Sequence, residues 1–253
     1  MKKTNLFPIV FILIPLIVNL GCGGGVTGGD GPTNEYKMVG GVVKNLDIDS
    51  VQTVVYLERN DSLYGGAQIN IGIDTLEYDP VLEIYSFEDA AADYPYGNYG
   101  LKLSDSPDLS EIVPFAIPGD FQITSVQLPD NRVNNGGDPV PIIWSLSLGS
   151  SGYFFSVVLK DSAYVTAGYS EFVTTGTASA TVPRDAFQLY SDLDTGWYYV
   201  YVCGYSGSPN SDYMLPSVIP ANNFSDNITT LLLTGQFGAI TVTPHDSIHV
   251  TLQ

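Results

Sequence analysis

The chain has 253 residues, with 27 Asp and Glu against nine Lys and Arg, for a formal net charge of −18. So acidic a surface repels phosphate backbones, whose protein partners gain affinity by neutralising phosphates with Lys and Arg, and nucleic acid is excluded as a partner. Charged residues make up only 14% of the chain and apolar ones 44%, so the acidity belongs to a folded core and not to a disordered polyanion.

The first segment is an export signal. Lys2 and Lys3 are followed by an apolar run from Leu6 to Leu20, then Gly21 and Cys22, which is the plan of a cleavable leader. The run is interrupted by Pro8, Pro15 and Asn19 and is shorter than the about 20 residues of a spanning helix, so permanent insertion is disfavoured. Asn19-Leu20-Gly21-Cys22 resembles the lipobox of bacterial lipoproteins, departing from it at Asn19, where an aliphatic residue is usual. The resemblance implies that residues 1–21 are removed and that Cys22 becomes a diacylglyceryl cysteine with further palmitate-type acylation. It also implies a cell-envelope address, the outer membrane before the inner, because Gly23 follows the cysteine where Asp would signal retention. Residues 22–36 then form the lipidated cysteine and a linker. Its GGGVTGGDGPTN stretch (23–34) packs no core and reaches about 5–6 Å times the square root of its length.

Beyond the linker the apolar period is two. MVGGVV (38–43), VQTVVYL (51–57), VLEIYSF (81–87), YGLKL (99–103) and IVPFAI (112–117) are short, rich in Val, Ile, Tyr and Phe, and separated by Gly, Pro, Asn and Asp. FQITSVQL (121–128), IIWSLSL (142–148), YFFSVVLK (153–160), GWYYVYV (196–202), ITTLLLTG (228–235), AITVT (239–243) and SIHVTL (247–252) continue the pattern. DAFQLYSDL (185–193) is the one helix candidate, at most two turns long. The fold class is therefore all-β, in one or two sandwiches. Pro114, Pro118 and Gly119 mark a boundary, giving an N-terminal β-sandwich module at 37–118 and a second module at 119–253.

The second module resembles a fibronectin type III or immunoglobulin-like sandwich. PIIWSLS matches a B strand with its core Trp144, GSSGYFFSVVL a C strand entered through Tyr153, and DTGWYYVYV an F strand with a tyrosine-corner approach. The resemblance covers about residues 120–205; the last fifty residues depart from it, since only a short G strand is expected there.

No catalytic constellation emerges, so no catalytic residue is assigned. Gly204-Tyr205-Ser206-Gly207-Ser208 fails the nucleophile-elbow spacing at its last position. His245, beside Asp246, reads as a turn histidine, and His249 is the only other imidazole. Cys203 sits in an apolar strand with no cation within ten residues and reads as an inert buried thiol. The loop Asp130-Asn131-Arg132-Val133-Asn134-Asn135-Gly136-Gly137-Asp138 offers oxygen ligands of the kind Ca²⁺ takes, with Asp130, Asn131, Asn134 and Asp138 the candidates, although the same residues are ordinary turn chemistry.

The strongest binding signal is aromatic. If Tyr198, Val200 and Val202 face the core, alternation places Trp197, Tyr199, Tyr201 and Cys203 on the opposite face, joined by Phe154 from the neighbouring strand. Phe154, Trp197, Tyr199 and Tyr201 form a platform for sugar rings or a protein partner, unless residues 228–252 fold over it. The functional expectation is a membrane-anchored, non-enzymatic binding or adhesion module for a glycan or protein ligand. The alternatives are an accessory subunit of an envelope complex and a secreted hydrolase.

Overall fold

The computed structural model describes residues 35–251 apart from 108, 129–131, 161–167, 174–175, 189–194 and 209–224. The leader, Cys22 and the linker up to residue 34 lie outside the described residues, as do Asp130 and Asn131.

The alternating segments become strands. The first group is β1 (Tyr36–Asn45), β2 (Ser50–Arg59), β3 (Ser62–Leu63), β4 (Gln68–Ile71), β5 (Asp74–Thr75), β6 (Glu77–Asp79), β7 (Ile84–Asp89), β8 (Gly97–Asp105) and β9 (Leu109–Ile117). The second is β10 (Ile123–Val126), β11 (Val133–Asn135), β12 (Val140–Trp144), β13 (Gly152–Leu159), β14 (Gly168–Val173), β15 (Ser179–Val182), β16 (Gly196–Ser206), β17 (Ile228–Thr229), β18 (Leu233–Val242) and β19 (Asp246–Thr251). The helix candidate at 185–193 is replaced by a single 3₁₀ turn at Arg184–Phe187, its residues 189–193 falling outside the described set.

These strands build one twelve-stranded sheet with the order β11-β19-β16-β18-β1-β2-β7-β6, to which β13, β14, β17 and β3 attach, and two small sheets, β10-β12-β15 and β5-β4-β8-β9. Each small sheet covers one part of the large one. Met38, Leu57, Ile69, Leu101, Leu103, Ile117 and Phe237 fill the core under β4-β8-β9. Trp144, Tyr153, Phe155, Val157, Tyr198, Val200, Val202, Ile248 and Val250 fill the core under β10-β12-β15.

The second sandwich therefore sets three strands, β10-β12-β15, against four, β14-β13-β16-β19, which is the arrangement of a fibronectin type III-like module. Trp144 lies in its core beside Tyr153, with ring centroids 5.5 Å apart. Buried Tyr198 donates its hydroxyl to the Phe187 carbonyl at 3.2 Å, as a tyrosine corner does.

Between β16 and β19 the chain leaves this sandwich and returns to the first. β18 runs parallel to β1 from Tyr36↔Leu233 to Asn45↔Val242, and its far end pairs antiparallel with β16 from Cys203↔Val242 to Ser206↔Ala239. Residues 228–251 thus meet the sheet edge-on and do not fold across the aromatic face, which corrects the covering arrangement considered from sequence. The reason is that β18 is apolar on both sides. Leu233, Phe237 and Ala239 enter the first core, while Ile240 and Val242 join Phe154, Cys203 and Tyr205 on the other side of the sheet. A strand with two apolar faces is satisfied inside a sheet, where its backbone is also fully paired. The approach to β1 is close: a Cβ at Gly235, whose φ is +130°, would lie 1.9 Å from the Met38 carbonyl oxygen.

The turn at 118–120 is pinned on several sides. The Pro118 carbonyl accepts from Thr241 Oγ1 at 2.7 Å, the Gly119 carbonyl accepts from Ser147 Oγ at 2.6 Å, and Asp120 pairs with the buried Lys44 ammonium at 2.5 Å.

Candidate ligand-binding face

The candidate face is built by the alternation of β16. Tyr198, Val200 and Val202 point into the second core, and Trp197, Tyr199 and Tyr201 point away from it. Register with the flanking strands arranges the outer side in rows about 4.8 Å apart across the sheet. The first row holds Lys160, whose N–H donates to the Trp197 carbonyl at 2.8 Å, then Trp197, then His249 of β19. Val158, Tyr199 and Ser247 make the second row, Ser156 and Tyr201 the third, and Phe154 and Cys203 the fourth.

Exposure falls along these rows. Trp197 is 43% exposed and stacks on the His249 imidazole, with centroids 4.7 Å apart and planes 16° off parallel. Tyr199 and Tyr201 are half-buried. The His245 ring lies 4.0 Å from that of Tyr199 and 5.8 Å from that of Tyr201, and the Lys160 ammonium stands 5.7 Å above the Tyr199 ring centroid. Phe154 shares this side of the sheet but not its surface. It is 1% exposed, clustered with Cys203, Tyr205, Ile240 and Val242 with Phe172 and Tyr201 packed against them, so it is corrected from a contact residue to a core residue at the end of the row.

A polar clasp closes the other end. Asp47 sits in the turn between β1 and β2, where the Asn45 side chain accepts its N–H at 2.9 Å, and Asp49 takes the left-handed conformation that reverses the chain, with φ +52°. One Asp47 oxygen lies 2.7 Å from His245 Nδ1 and accepts the His245 N–H at 3.1 Å; the other accepts the Tyr201 hydroxyl at 3.4 Å. Burial pushes the Tyr201 phenol well above its ordinary range, and the Asp47 charge adds to the shift, so Tyr201 stays a neutral donor. The carboxylate neighbouring His245 in sequence is elsewhere engaged: Asp246 binds Arg132 and accepts the Ser247 N–H at 2.8 Å. The partner that orients His245 is thus 198 residues away in sequence. Nothing in the local pattern reveals it beyond the turn-forming Asn45-x-Asp47.

Full burial pushes the Cys203 thiol far up, so it has no thiolate character to offer a reaction. In the oxygen-rich loop the Asn134 carboxamide is closed on Asp138: it accepts the Asp138 N–H at 2.7 Å and donates to the Asp138 carbonyl at 2.8 Å. Among the described residues no three His, Cys, Asp or Glu side chains gather as a metal site, and no helix is long and apolar enough to cross a membrane.

No family model matches the chain, and no curated protein sequence does. Solved structures that superpose on it include immunoglobulin-type pairs and an adhesin. The first two domains of DIP-gamma align at 7% identity over 87% of this chain and 98% of that one, with a TM-score of 0.23. The complex of Dpr11 with DIP-gamma gives 8% identity over 87% and 99%, with a TM-score of 0.24. The adhesin InvE of Yersinia pseudotuberculosis gives 14% identity over 71% of this chain and 58% of that one, with a TM-score of 0.23. Superpositions this loose add nothing to the fold, which rests on the strand order itself.

Proposed function

We propose that this protein is a lipid-anchored envelope lipoprotein that uses the outer side of β16 and β19 to bind a glycan or a protein ligand, without catalysing a reaction. The observation that carries the reading is the half-open row Trp197, Tyr199, Tyr201, fixed on a sheet whose other side is core and braced by His249, His245 and Asp47. Aromatic faces held in one orientation lose little entropy when a ligand stacks on them, and tyrosine supplies a hydroxyl at the rim of each contact. Placement suits display. The linker that would follow an acylated Cys22 joins the fold at Tyr36, and the site begins at Asp47, beyond the far end of the ten-residue β1 and therefore on the order of 30 Å along the strand.

The test joins the two halves of the reading. Cells expressing the full chain incorporate labelled palmitate into it and hold it in the membrane fraction, whereas Cys22→Ala abolishes labelling and releases it. On those cells, capture of glycan or protein ligands from a surface array is lost in Tyr199→Ala and in Trp197→Ala while the amount of protein displayed is unchanged. Capture that survives both substitutions would sink the assignment of this face.

A further inference from the structure

We infer that the ligand of this face is an acidic oligosaccharide, its ring stacked on the Trp197–His249 pair and its carboxylate held by the Lys160 ammonium; the inference rests on the binding role proposed above for the same face. The chain is acidic throughout, with 27 carboxylates to nine Lys and Arg and two histidines, yet both histidines and Lys160 border this one aromatic row. Three of the other cations are already committed to carboxylates: Lys44 to Asp120, Arg59 to Asp105 and Arg132 to Asp246. Lys160 is not. It is exposed, its ammonium stands over the Tyr199 ring, and no carboxylate pairs with it among the described residues.

The geometry of the first row orders the contacts. Lys160, Trp197 and His249 stand side by side on adjacent backbones, with strand spacing of about 4.8 Å; the Lys160 ammonium reaches over the neighbouring Tyr199 ring, and one face of the indole is stacked on the imidazole. A pyranose ring lying on the other face of the indole is on the Lys160 side of the row, within the reach of a lysine side chain that already extends over Tyr199, while the imidazole braces the indole from behind. A neutral sugar uses the stacking alone. A uronate or sialate also gains a charge-assisted hydrogen bond from Lys160, the stronger class of contact. The half-buried Tyr199 and Tyr201 extend the platform along the strand, so the ligand is an oligomer and not a single sugar. Among the described residues, the Asp47 carboxylate at the row's far side is turned to His245 and Tyr201 and does not oppose the Lys160 end.

The experiment is calorimetric titration of the full chain, purified in detergent, with oligogalacturonate, hyaluronan oligomers and sialic-acid oligomers, each against its carboxyl-reduced counterpart. The expected result is that at least one acidic oligomer binds more tightly than its reduced form and weakens as salt is raised. Lys160→Ala then lowers the affinity for the acidic form by about tenfold, the effect of one hydrogen bond to a charged group, and leaves the reduced form unchanged. Trp197→Ala removes binding of both. Lys102→Ala, an exposed lysine on β8 away from this face, changes neither and controls for net charge. Equal binding of acidic and reduced oligomers, indifferent to Lys160→Ala, would overturn the inference and leave the glycan-binding role standing. Failure of every oligosaccharide to bind would overturn it too, and would turn the role toward a protein ligand.

Discussion

In the first sandwich Tyr94, Tyr99, Phe115 and Phe237 make a chain of ring contacts, with successive centroids 5.8, 5.7 and 5.0 Å apart, that runs into the core. In the second, Trp197 lies on His249 and Tyr199 on His245 at comparable spacing, but on the outer side of the sheet. The first set is cemented by a strand delivered from the far end of the sequence, since Phe237 is on β18 and is 2% exposed. The second set is flanked by strands on both edges and covered by neither. Aromatic residues of the same kinds serve as core in one place and as surface in the other. What separates them is whether a neighbouring layer lies over the sheet, and the residues alone do not encode that.

The largest effect expected from this contrast is at Phe237. Its truncation to Ala removes the last ring of the inner stack and leaves a cavity between β1, β18 and the β8-β9 hairpin, a loss of about 3–5 kcal/mol. For a unit of this size that is a fall in Tm on the order of 10 °C. It should be seen in one transition, because β18 is bonded to β1 along its whole length and to β16 at its end. A shift of only a degree or two, or separate transitions for the two sandwiches, would show that β18 is not the element that ties them together.

Much of the second sandwich is legible in the sequence. The alternation of GWYYVYV and YFFSVVLK assigns the inner and outer residues of β16 and β13 as the structure has them, because an apolar core against one face imposes period two. ITTLLLTG and AITVT read as two runs, but Leu233–Val242 is one strand, and Gly235 is where it passes close to β1. The short strands β4, β5, β6, β11, β14 and β15 carry too few apolar residues to stand out from loops. At the site, Trp197, Tyr199 and Tyr201 were readable from β16 alone. The Asp47–His245 clasp and the burial of Phe154 in a cluster with Ile240 and Val242 were not, since both depend on the path of a strand that leaves one sandwich for the other.

A smaller effect is expected at the boundary between the inner and outer faces. Tyr198→Phe keeps the ring that packs on Phe187, with centroids 5.1 Å apart, and removes the hydroxyl that reaches the Phe187 carbonyl. The cost should be about 1–3 kcal/mol, since a buried acceptor loses its donor, and ligand binding at the outer face should be unchanged. Urea unfolding at constant m-value measures the first, and the surface-array assay the second. Loss of binding with Tyr198→Phe would mean that the outer row is positioned from beneath by this hydrogen bond, and that the two faces of β16 are not independent.

The smallest stability effect belongs to Trp197, and it sharpens the contrast most. A core tryptophan such as Trp144, 2% exposed, would cost several kcal/mol on truncation, and a side chain that serves only the surface costs within about 0.5 kcal/mol. Trp197 is 43% exposed, and its single ring contact among the described residues is with an imidazole at the same surface, so Trp197→Ala should leave the urea midpoint nearly where it is. A large, rigid aromatic surface that contributes little to folding has to be accounted for by something outside the fold. If Trp197→Ala instead lowers stability as Phe237→Ala does, the outer row is a second core and the binding role moves elsewhere on the molecule.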